Sequence, residues 1–256
     1  MPLTIGSGIT LGSGVSIINS AATVTANLSM NLDAATYTSG LTWTDSSGNG
    51  KDARIAGAVT TYTLGTGFNV IRFNGSAFAN AYLGFGTTLN TTAGYTFEVW
   101  AQPAASDTSY TLVGEWNNNT VNSGWTDAQM GFLSNNRISA GYYNGAVTAP
   151  YGAVAIAPTV TSGGTWYNIV FTYNGINNGN LYINGSKVAT TGYEIKSNPP
   201  GSVFLSLGKP DGFGGYLGGV INNFTGNIGA WRVYNKNLSD AEIQQNFDAL
   251  RGRFGI

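Results

Sequence analysis

The sequence predicts an all-β fold in which two antiparallel sheets pack face to face, with an extended N-terminal arm and one short C-terminal helix. The 256 residues include 37 glycines, and aromatic residues make up 12% of the chain. Short apolar or alternating runs follow one another with Gly, Asn and Pro between them, which is typical of strands joined by turns. No helical pattern alternates with these runs, so a parallel α/β sheet is disfavoured and a single large sandwich domain is favoured.

The composition excludes several classes of function. Charged residues are only 9% of the chain and the net charge is -1, so no basic surface for nucleic acid or an anionic membrane is expected. The chain contains no Cys and no His, which excludes disulfides, Cys/His zinc sites and nucleophiles activated by His. No apolar run is long enough to span a bilayer, and no basic segment precedes the first apolar residues. Neither membrane insertion nor a standard secretory signal is therefore expected.

Residues 1–25 are predicted to form an extended arm. The segments TIGSGI at 4–9 and TLGSGV at 10–15 repeat one unit, and no charged residue occurs before Asp33. One interpretation is a flexible leader. The alternative, which we favour, is an arm that adds a strand to a neighbouring protein or joins a trimeric bundle of its own copies, because uncovered aliphatic residues would promote aggregation. The aliphatic residues predicted to anchor the arm are Ile5, Ile9, Leu11, Val15 and Ile17.

The body is predicted to span residues 26–256 and to begin with an alternating strand that contains Leu28, Met30 and Leu32. Asn184-Gly185 is the strongest hairpin signal, because Asn-Gly suits the primed turns whose twist matches that of the flanking strands. The other predicted strands are short runs bounded by turn residues. They lie at residues 68–73, 96–103, 110–116, 129–133, 137–143, 151–157, 165–173, 180–184, 186–191, 203–207 and 226–234.

A single helix is predicted at residues 239–250. Ser239 and Glu242 have the spacing of a capping box, and Arg251 followed by Gly252 predicts where the helix ends. A helix of about a dozen residues is marginal in water unless one face packs on something larger. The residues expected to face the body are Ile243, Phe247 and Leu250.

Four short segments occur along the body in a recognisable order: DSSGNG at 45–50, FNG at 73–75, TFEVWAQP at 96–103 and IGAWRVYNKNLSDAEI at 228–243. Together they resemble the LamG-like domains of the concanavalin A-like lectin and glucanase superfamily, over residues 28–250. The resemblance implies a two-sheet jelly-roll sandwich of the concanavalin A-like kind. It also raises three possibilities for function, namely saccharide hydrolysis, calcium binding and glycan binding.

Hydrolysis is not expected. The resemblance implies that a glucanase of this superfamily would carry two carboxylates about 5 Å apart, usually at alternating positions of one strand. Here Glu98 is the only acid in residues 96–103, and Glu115 is the only acid in residues 110–116. We therefore interpret both as hydrogen-bonded or solvated strand residues and predict no catalytic residues.

A calcium ion would have to rely on Asp45 and Asp52. Related LamG-like domains often have an Asp in the last strand, where this sequence has Asn227, and losing a carboxylate weakens a site for a hard cation. Stabilisation of a turn is the favoured role for both acids, because Asp side chains bond nearby backbone amides in compact loops. No cofactor is predicted.

A glycan-binding site is predicted from aromatic, amide and acidic residues near strand ends, which supply the stacking and hydrogen bonds that hold sugars. The same aromatic residues could instead belong to the core or to an interface. The glycine-rich stretch 212–219 is followed by no helix, so a phosphate-binding loop is not expected. The residues predicted to contact a glycan are Trp116, Asn118, Trp125, Asp127, Tyr142, Tyr143 and Asn144.

The ending EIQQNFDALRGRFGI at 242–256 resembles one shared by structural proteins of tailed bacteriophages, especially those that infect cyanobacteria. Together with the arm, it implies a virion protein, either a capsid decoration or a head-fibre subunit, made in the host cytoplasm and displayed on the particle surface. The implied partners are other virion proteins, further copies of this chain and host surface glycans, but neither nucleic acid nor a membrane. The alternatives are a tail-fibre or receptor-binding adhesin and, less favoured, a glycoside hydrolase.

Overall fold

Two antiparallel sheets pack face to face, which confirms the predicted two-sheet sandwich. The computed structural model describes residues 22–76, 78–82, 94–104, 110–117, 128–132, 137–143, 152–157, 163–176, 178–191, 203–208 and 223–256. Within these ranges every pair of neighbouring strands is antiparallel. We call the two sheets sheet A and sheet B.

Sheet A contains eight of the described strands, drawn from both ends and the middle of the sequence. In spatial order they are β14 (Ser186–Thr191), β13 (Gly179–Ile183), β12 (Tyr167–Tyr173), β7 (Tyr95–Pro103), β16 (Thr225–Tyr234), β5 (Asn69–Asn74) and β4 (Thr60–Thr63), with β1 (Leu28–Asp33) beside β16. The two longest strands, β7 and β16, are neighbours, so the sheet is built around a pairing between distant parts of the chain.

Sheet B also contains eight of the described strands. In spatial order they are β11 (Gly152–Ile156), β10 (Ile138–Tyr143), β9 (Ala128–Phe132), β8 (Tyr110–Asn117), β15 (Val203–Leu207), β6 (Phe78–Tyr82), β3 (Ala53–Ala56) and β2 (Thr42–Trp43). Four strands that are consecutive in sequence, β8 to β11, form a meander on one side. β15 joins this meander to the strands from the first third of the chain.

The main hydrophobic core lies between the two sheets. Because side chains alternate along a strand, β7 contributes Phe97, Val99 and Ala101 to this core, and β1 contributes Met30 and Leu32 as predicted. The residues between them in sequence belong to the opposite, outer face of sheet A. Other large core side chains are Trp43, Phe73, Met130, Phe132, Phe171, Leu207, Phe224 and Trp231.

One α-helix, α1 (Asp240–Phe254), packs on the outer face of sheet A. The predicted capping box is confirmed, since Ser239 Oγ accepts the N–H of Glu242 and the Glu242 carboxylate accepts the N–H of Ser239. The predicted end at Gly252 is wrong, because the helix continues to Phe254 and is capped by Gly255, which has a φ of +73°. No helix in the described ranges is long and apolar enough to cross a membrane.

Packing of the last helical turn explains why α1 is longer than predicted. Phe254 lies over Trp100 and Trp166, with ring centroids 4.4 Å and 4.5 Å apart. Gly252 costs the helix about 1 kcal/mol relative to Ala, and burial of an aromatic ring contributes more than that. The predicted apolar face is confirmed, and its buried residues are Ile243, Phe247 and Leu250 together with Asn246 and Phe254.

Strand β16 changes register under the helix. β7 pairs with it on one side, while β5 and β1 share its other side, with β5 along residues 225–228 and β1 along residues 230–234. The shift occurs at Gly229, where a Cβ atom would lie 2.2 Å from the ring of Phe254. The glycine therefore permits the close contact between this bulge and α1.

The hairpin between β13 and β14 has the predicted turn. Asn184 and Gly185 have φ values of +51° and +77°, and both must be positive in a type I′ turn. Four described strands were not predicted, namely β2, β3, β4 and β6. β4 is exposed at every position and β2 has only two residues, so neither carries an apolar pattern long enough to indicate a strand.

The first described residues lie against α1. Val24 is buried beside the helix, and its N–H donates a hydrogen bond to Asn246 Oδ1 at 2.8 Å. Gln245 Nε2 donates to the Ala22 carbonyl at 2.7 Å. Residues 22–24 are thus attached to the body, so a deletion meant to leave it intact should spare them. The predicted anchoring residues Ile5, Ile9, Leu11, Val15 and Ile17 lie outside the described residues.

An ion pair fastens the C-terminal end of α1 to the end of β1. Arg253 donates two hydrogen bonds, each 2.7 Å long, to the two carboxylate oxygens of Asp33. Burial of Asp33 raises the pKa of its carboxyl group, but the hydrogen bond and charge of Arg253 and the Ala35 N–H outweigh that effect. The pKa of Asp33 therefore lies below its usual value.

Replacing Asp33 with Asn is expected to lower the free energy of unfolding by about 1–2 kcal/mol at neutral pH. Because the folded-state pKa lies below the unfolded value of about 3.9, the stabilisation is complete above that pH and is lost as the pH falls through the folded-state pKa. Urea unfolding of both proteins from neutral pH to about pH 2 measures the difference. Asp248→Asn, at an exposed position on α1, is the control and should change little. A difference of unchanged size in acid would contradict the prediction.

Candidate functional site

A groove lies on the outer face of sheet A, beside the C-terminal end of α1. It encloses about 460 Å³, which falls within the range of about 300–1,000 Å³ that small-molecule sites occupy. We call it the outer-face groove. It is lined by Tyr62, Leu64, Arg72, Gln102, Pro103, Ala104, Gly164, Gly226 and Asn227. Leu64 also packs against the cluster that holds α1 to the sheet, so the groove and the helix share one wall.

Two amide side chains are held in place in this groove. Asn227 of β16 lies opposite Gln102 of β7, and Asn227 Nδ2 donates a hydrogen bond to Gln102 Oε1 at 2.6 Å. Gln102 Nε2 in turn donates to the Gly164 carbonyl at 2.6 Å. An amide nitrogen carries two N–H groups, so Gln102 Nε2 keeps one that none of the described residues uses.

Glycine allows the two strands under the groove to approach each other closely. A Cβ atom at Gly226 would lie 2.2 Å from the Gln102 carbonyl oxygen, and the φ of Gly226 is +149°. Any other residue would push β16 away from β7 at this point. The local shape of the groove therefore depends on this position.

An aromatic ring and a cation lie on the sheet edge that borders the groove. Tyr62 of β4 is 54% exposed and pairs with Val70, while Arg72 of β5 pairs with Thr60. Tyr62 and Arg72 are therefore diagonal neighbours on one face of the sheet, within reach of long side chains. An exposed ring, a guanidinium and an amide are the groups that hold polar ligands such as saccharides.

Glu98, a candidate catalytic acid, is fully engaged in a buried network. It is 1% exposed, and its Oε1 accepts hydrogen bonds from Asn168 Nδ2 at 3.0 Å and from Trp100 Nε1 at 3.2 Å. Arg232 forms an ion pair with the same oxygen at 3.4 Å, and Asn246 Nδ2 donates to Oε2 at 2.8 Å. A carboxylate with this many donors and no solvent contact cannot protonate a leaving group or attack a sugar. It is a hydrogen-bonded strand residue, as the sequence suggested.

The network of hydrogen bonds around Glu98 continues to α1 and to β1. Asn246 Nδ2 also donates to the hydroxyl of Tyr234 at 2.9 Å, and Arg232 Nε donates to Asn31 Oδ1 at 2.9 Å. Burial first, and then the nearby charge of Glu98, raises the pKa of the Tyr234 hydroxyl well above its usual value. The hydroxyl therefore stays protonated, and the cluster is structural. The other candidate, Glu115, lies on β8 in sheet B, so the two acids do not share a sheet.

Asp45 is occupied by its own loop. Its Oδ1 accepts the N–H groups of Asn31 and Ser47, and its Oδ2 accepts the N–H of Lys51 and the Ser47 hydroxyl. Burial raises the pKa of Asp45, but these donors outweigh it and hold the pKa below its usual value. Asp52 Oδ1 accepts the Asp45 N–H at 2.7 Å. A carboxylate surrounded by donors does not fit a calcium ion, and the geometry suits the turn-stabilising role. Within the described ranges no group of three or more Asp, Glu, His or Cys residues is placed to hold a metal ion.

The residues predicted to contact a glycan lie on sheet B or beyond the described ranges. Trp116 lies on β8, and Tyr142 and Tyr143 lie on β10. Gly114 and Gly141 both pair with one residue of β9, so Trp116 and Tyr143, two positions further along, fall at the same end of the sheet. This second site stays a prediction, and its remaining members outside the described residues are Asn118, Trp125, Asp127 and Asn144.

Sequence comparison places this sandwich in a family. The Laminin_G_3 model of the concanavalin A-like lectin/glucanases superfamily matches residues 73–244. The chain belongs to this superfamily. The match includes Gln102 and Asn227. It begins just after Arg72, so the aromatic ring of Tyr62 and the cation of Arg72 lie outside the matched region. No curated protein is similar enough in sequence to stand as a relative.

Solved structures share the superfamily fold at low identity. The binding domain of botulinum neurotoxin DC in complex with SialylT has a TM-score of 0.63 and 16% identity, covering 88% of this chain and 52% of that one. A mutant of Trypanosoma rangeli sialidase displaying trans-sialidase activity has a TM-score of 0.64 and 17% identity, covering 92% and 35%. The binding domain of Paraclostridial Mosquitocidal Protein 1 has a TM-score of 0.59 and 16% identity, covering 86% and 52%. The chain spans about half the length of these toxin domains, and the likeness concerns the fold.

The sequence did not predict that the groove residues form a site. It did predict β7 and β16, the strands beneath the groove that the family model covers. Asn227 was noted only where an Asp would favour calcium, and Tyr62 lies on a strand that no apolar pattern revealed. One signal in the sequence could have pointed to Tyr62. It is a single aromatic residue within the polar run Thr60–Thr63, where no apolar neighbours indicate burial. Strands from three distant parts of the chain meet at the groove, namely the β4–β5 hairpin, β7 and β16, and only the fold brings them together.

Proposed function

We propose that this protein is a non-enzymatic saccharide-binding module whose site is the outer-face groove. The observation that carries the proposal is the convergence of an exposed aromatic ring, a guanidinium and a positioned amide pair in one groove of a lectin-type fold. Tyr62 offers a face on which a sugar ring can stack, since its ring is 54% exposed. Gln102 offers its second side-chain N–H group, because only one is used in the hydrogen bond to the Gly164 carbonyl.

The proposed absence of catalysis is supported by the contacts of the acidic residues. Glycoside hydrolysis usually requires two carboxylates on either side of the scissile bond. Among the described residues that line the groove there is no Asp or Glu. Glu98 is sealed beneath α1 by its donors and therefore cannot contribute. Similar solved structures include binding domains of toxins, which is consistent with a binding role for this fold.

Replacing Tyr62 with Ala is expected to weaken saccharide binding at least about tenfold, or about 1.4 kcal/mol, because the stacking face is lost. A glycan array screened with the wild-type protein identifies ligands, and calorimetry with the tightest of them compares the variants. Saccharides recovered from the wild-type protein should be uncleaved.

The control for this experiment is Ile176→Ala, which removes an exposed apolar side chain in the turn between β12 and β13, away from the groove. It should bind like the wild type. Unchanged binding in Tyr62→Ala, or reducing ends released from the saccharides, would contradict the proposal.

We further propose that the module is displayed on a bacteriophage particle, as a capsid decoration or head-fibre subunit. The phage-like ending of the sequence and the aliphatic, uncharged arm support this proposal. The contacts of residues 22–24 with α1 add a spatial argument, because the arm would then leave the body on the outer face of sheet A. The arm would bind other virion proteins or further copies of this chain, and the body would face outward. A tail-fibre adhesin is the alternative position for the same module.

Deleting residues 2–21 is expected to leave the body folded and to abolish incorporation into particles. The deletion spares Val24 and Ala22, whose contacts with α1 belong to the body. Thermal unfolding of the truncated protein and its copy number in purified particles are the two measurements. A protein with the TIGSGI and TLGSGV segments exchanged for Gly-Ser units of equal length is the matched control, and it should also fail to incorporate. Normal occupancy of the truncated protein would show that the anchor lies on the body, and normal occupancy of the exchanged variant alone would place the anchor in the rest of the arm, which includes Ile17.

A further inference from the structure

We propose that the outer-face groove selects saccharides that carry a carboxylate, with Arg72 as the residue that binds it. This inference rests on the proposed saccharide-binding function and names its ligand class. The shared chemistry is a pyranose ring with an attached carboxylate. Uronic acids within a polysaccharide and sialic-acid-type sugars at a chain end are its two sources.

The charge of the groove points to an anion. Arg72 is the only ionisable cation among the described lining residues, and no Asp or Glu is among them. The described residues form no ion pair or hydrogen bond with its guanidinium. Because a concave site with one sign of charge and partly apolar walls focuses the electric field, an incoming carboxylate gains more there than on an open surface.

The other arginines near α1 show what the unpaired state of Arg72 means. Arg232 pairs with Glu98 at 3.4 Å, and Arg253 binds both oxygens of Asp33 at 2.7 Å. These two arginines, which hold α1 and its neighbouring strands together, thus each have an acid partner within the protein. Among the described residues Arg72 has no acid partner, and it lies beside an exposed aromatic ring instead. A guanidinium presents its N–H groups as a planar fork that matches a carboxylate, so the partner for Arg72 can come from a ligand.

The arrangement also accommodates the rest of the sugar. Tyr62 and Arg72 are diagonal neighbours on one face, so a ring stacked on Tyr62 would bring a substituent toward Arg72. Gln102 lies across the groove with one N–H left to donate to a hydroxyl or ring oxygen. The three contacts together define an acidic pyranose better than a neutral one, because the neutral sugar would leave the guanidinium without a partner.

The test compares each acid with its own methyl ester, which lacks the negative charge and otherwise differs only by one methyl group on each carboxyl. Tetragalacturonic acid and its methyl ester represent polymer uronic acids, and 3′-sialyllactose and its methyl ester represent terminal acidic sugars. Calorimetry at low ionic strength with the 256-residue chain is expected to show at least one acid binding about tenfold or more tighter than its ester. Added salt should reduce this ratio.

Arg72→Gln should bring the acid and its ester to equal affinity while the affinity for the ester stays within about twofold. Arg54→Gln is the matched control, because Arg54 is also an exposed arginine, on β3 in sheet B, and its loss changes the net charge by the same amount. It should keep the preference. A thermal melt of both variants confirms that each is folded, as expected for exposed positions.

The outcomes separate this inference from the function on which it rests. If acid and ester bind equally to the wild type, and Tyr62→Ala still abolishes binding, the ligand class is wrong and the saccharide-binding function stands. If Arg54→Gln loses the preference as fully as Arg72→Gln, the effect is one of net charge and the assignment of Arg72 fails. If neither acids, esters nor arrayed glycans bind, both proposals fail together.

Discussion

Replacing Glu98 with Ala is expected to lower the free energy of unfolding by about 3–5 kcal/mol. The substitution leaves Arg232, which is 2% exposed, as a buried charge without its acid. It also strands the donors of Trp100, Asn168 and Asn246, which all converge on the lost carboxylate. Unsatisfied buried donors add to the cost because water cannot reach them.

Urea unfolding followed by circular dichroism measures the effect of Glu98→Ala. Asp248→Ala is the control, since Asp248 is an exposed acid 3.8 Å from Arg251, and it should cost no more than about 0.5 kcal/mol. Glu98→Gln, which keeps the shape but not the charge, should also destabilise. A loss under about 1 kcal/mol in Glu98→Ala would mean that Arg232 is compensated by another group.

Replacing Phe254 with Ala is expected to destabilise the protein by about 3–5 kcal/mol. Its ring fills the space between Trp100, Trp166 and the bulge at Gly229, so its loss opens a cavity under the helix end. Trp100 lies within β7 and Trp166 directly precedes β12, so neither ring is free to collapse into that space. The last turn of α1 should also fray, because Gly252 lowers its intrinsic helix propensity.

Chemical denaturation measures the stability of Phe254→Ala, and hydrogen exchange of the last turn of α1 reports fraying. Phe68→Ala is the matched control, because Phe68 is 40% exposed and its ring meets the guanidinium of Arg253 at this end of α1, 4.7 Å from the ring centroid, so a loss of less than about 1 kcal/mol is expected. A Phe254 variant as stable as the wild type would show that α1 is held mainly by Phe247 and Leu250. In that case the ring contacts at the end of the helix would be incidental.

The predictions that succeeded rest on local signals. Ser239 and Glu242 cap a helix wherever an apolar face follows, and Asn184-Gly185 turns a hairpin because both residues tolerate positive φ. Alternation placed Met30 and Leu32 in the core before any partner strand was known. In each case the relevant physics acts between residues close in sequence.

The predictions that failed or were missing depend on contacts between distant residues. The end of α1 could not be placed correctly because its last aromatic packs on Trp100 and Trp166, both far away in the chain. β4 carries no apolar pattern, since both of its faces are exposed, and it is a strand because β5 pairs with it. Tertiary pairing overrides weak local preference at such places.

The candidate site shows the same division. Composition and the family resemblance indicated a lectin-type sandwich with aromatic and amide residues at strand ends. They did not indicate which of these residues meet, because Tyr62, Arg72, Gln102 and Asn227 lie on four different strands. Likewise, the sequence indicated that Glu98 is an isolated acid. It did not indicate that α1 covers Glu98.

The sequence by itself determined the fold class, the capped helix and its apolar face, the hairpin turn and the absence of Cys and His chemistry. These follow from periodicity, capping and composition, which act over a few residues or over the chain as a whole. Only the tertiary structure decided the length of α1, the burial of Glu98 and the outer-face groove. The reason is that each of these depends on the pairing of β16 with β7 and β5, which brings distant residues onto one face and leaves Arg72 there without an acid partner among the described residues.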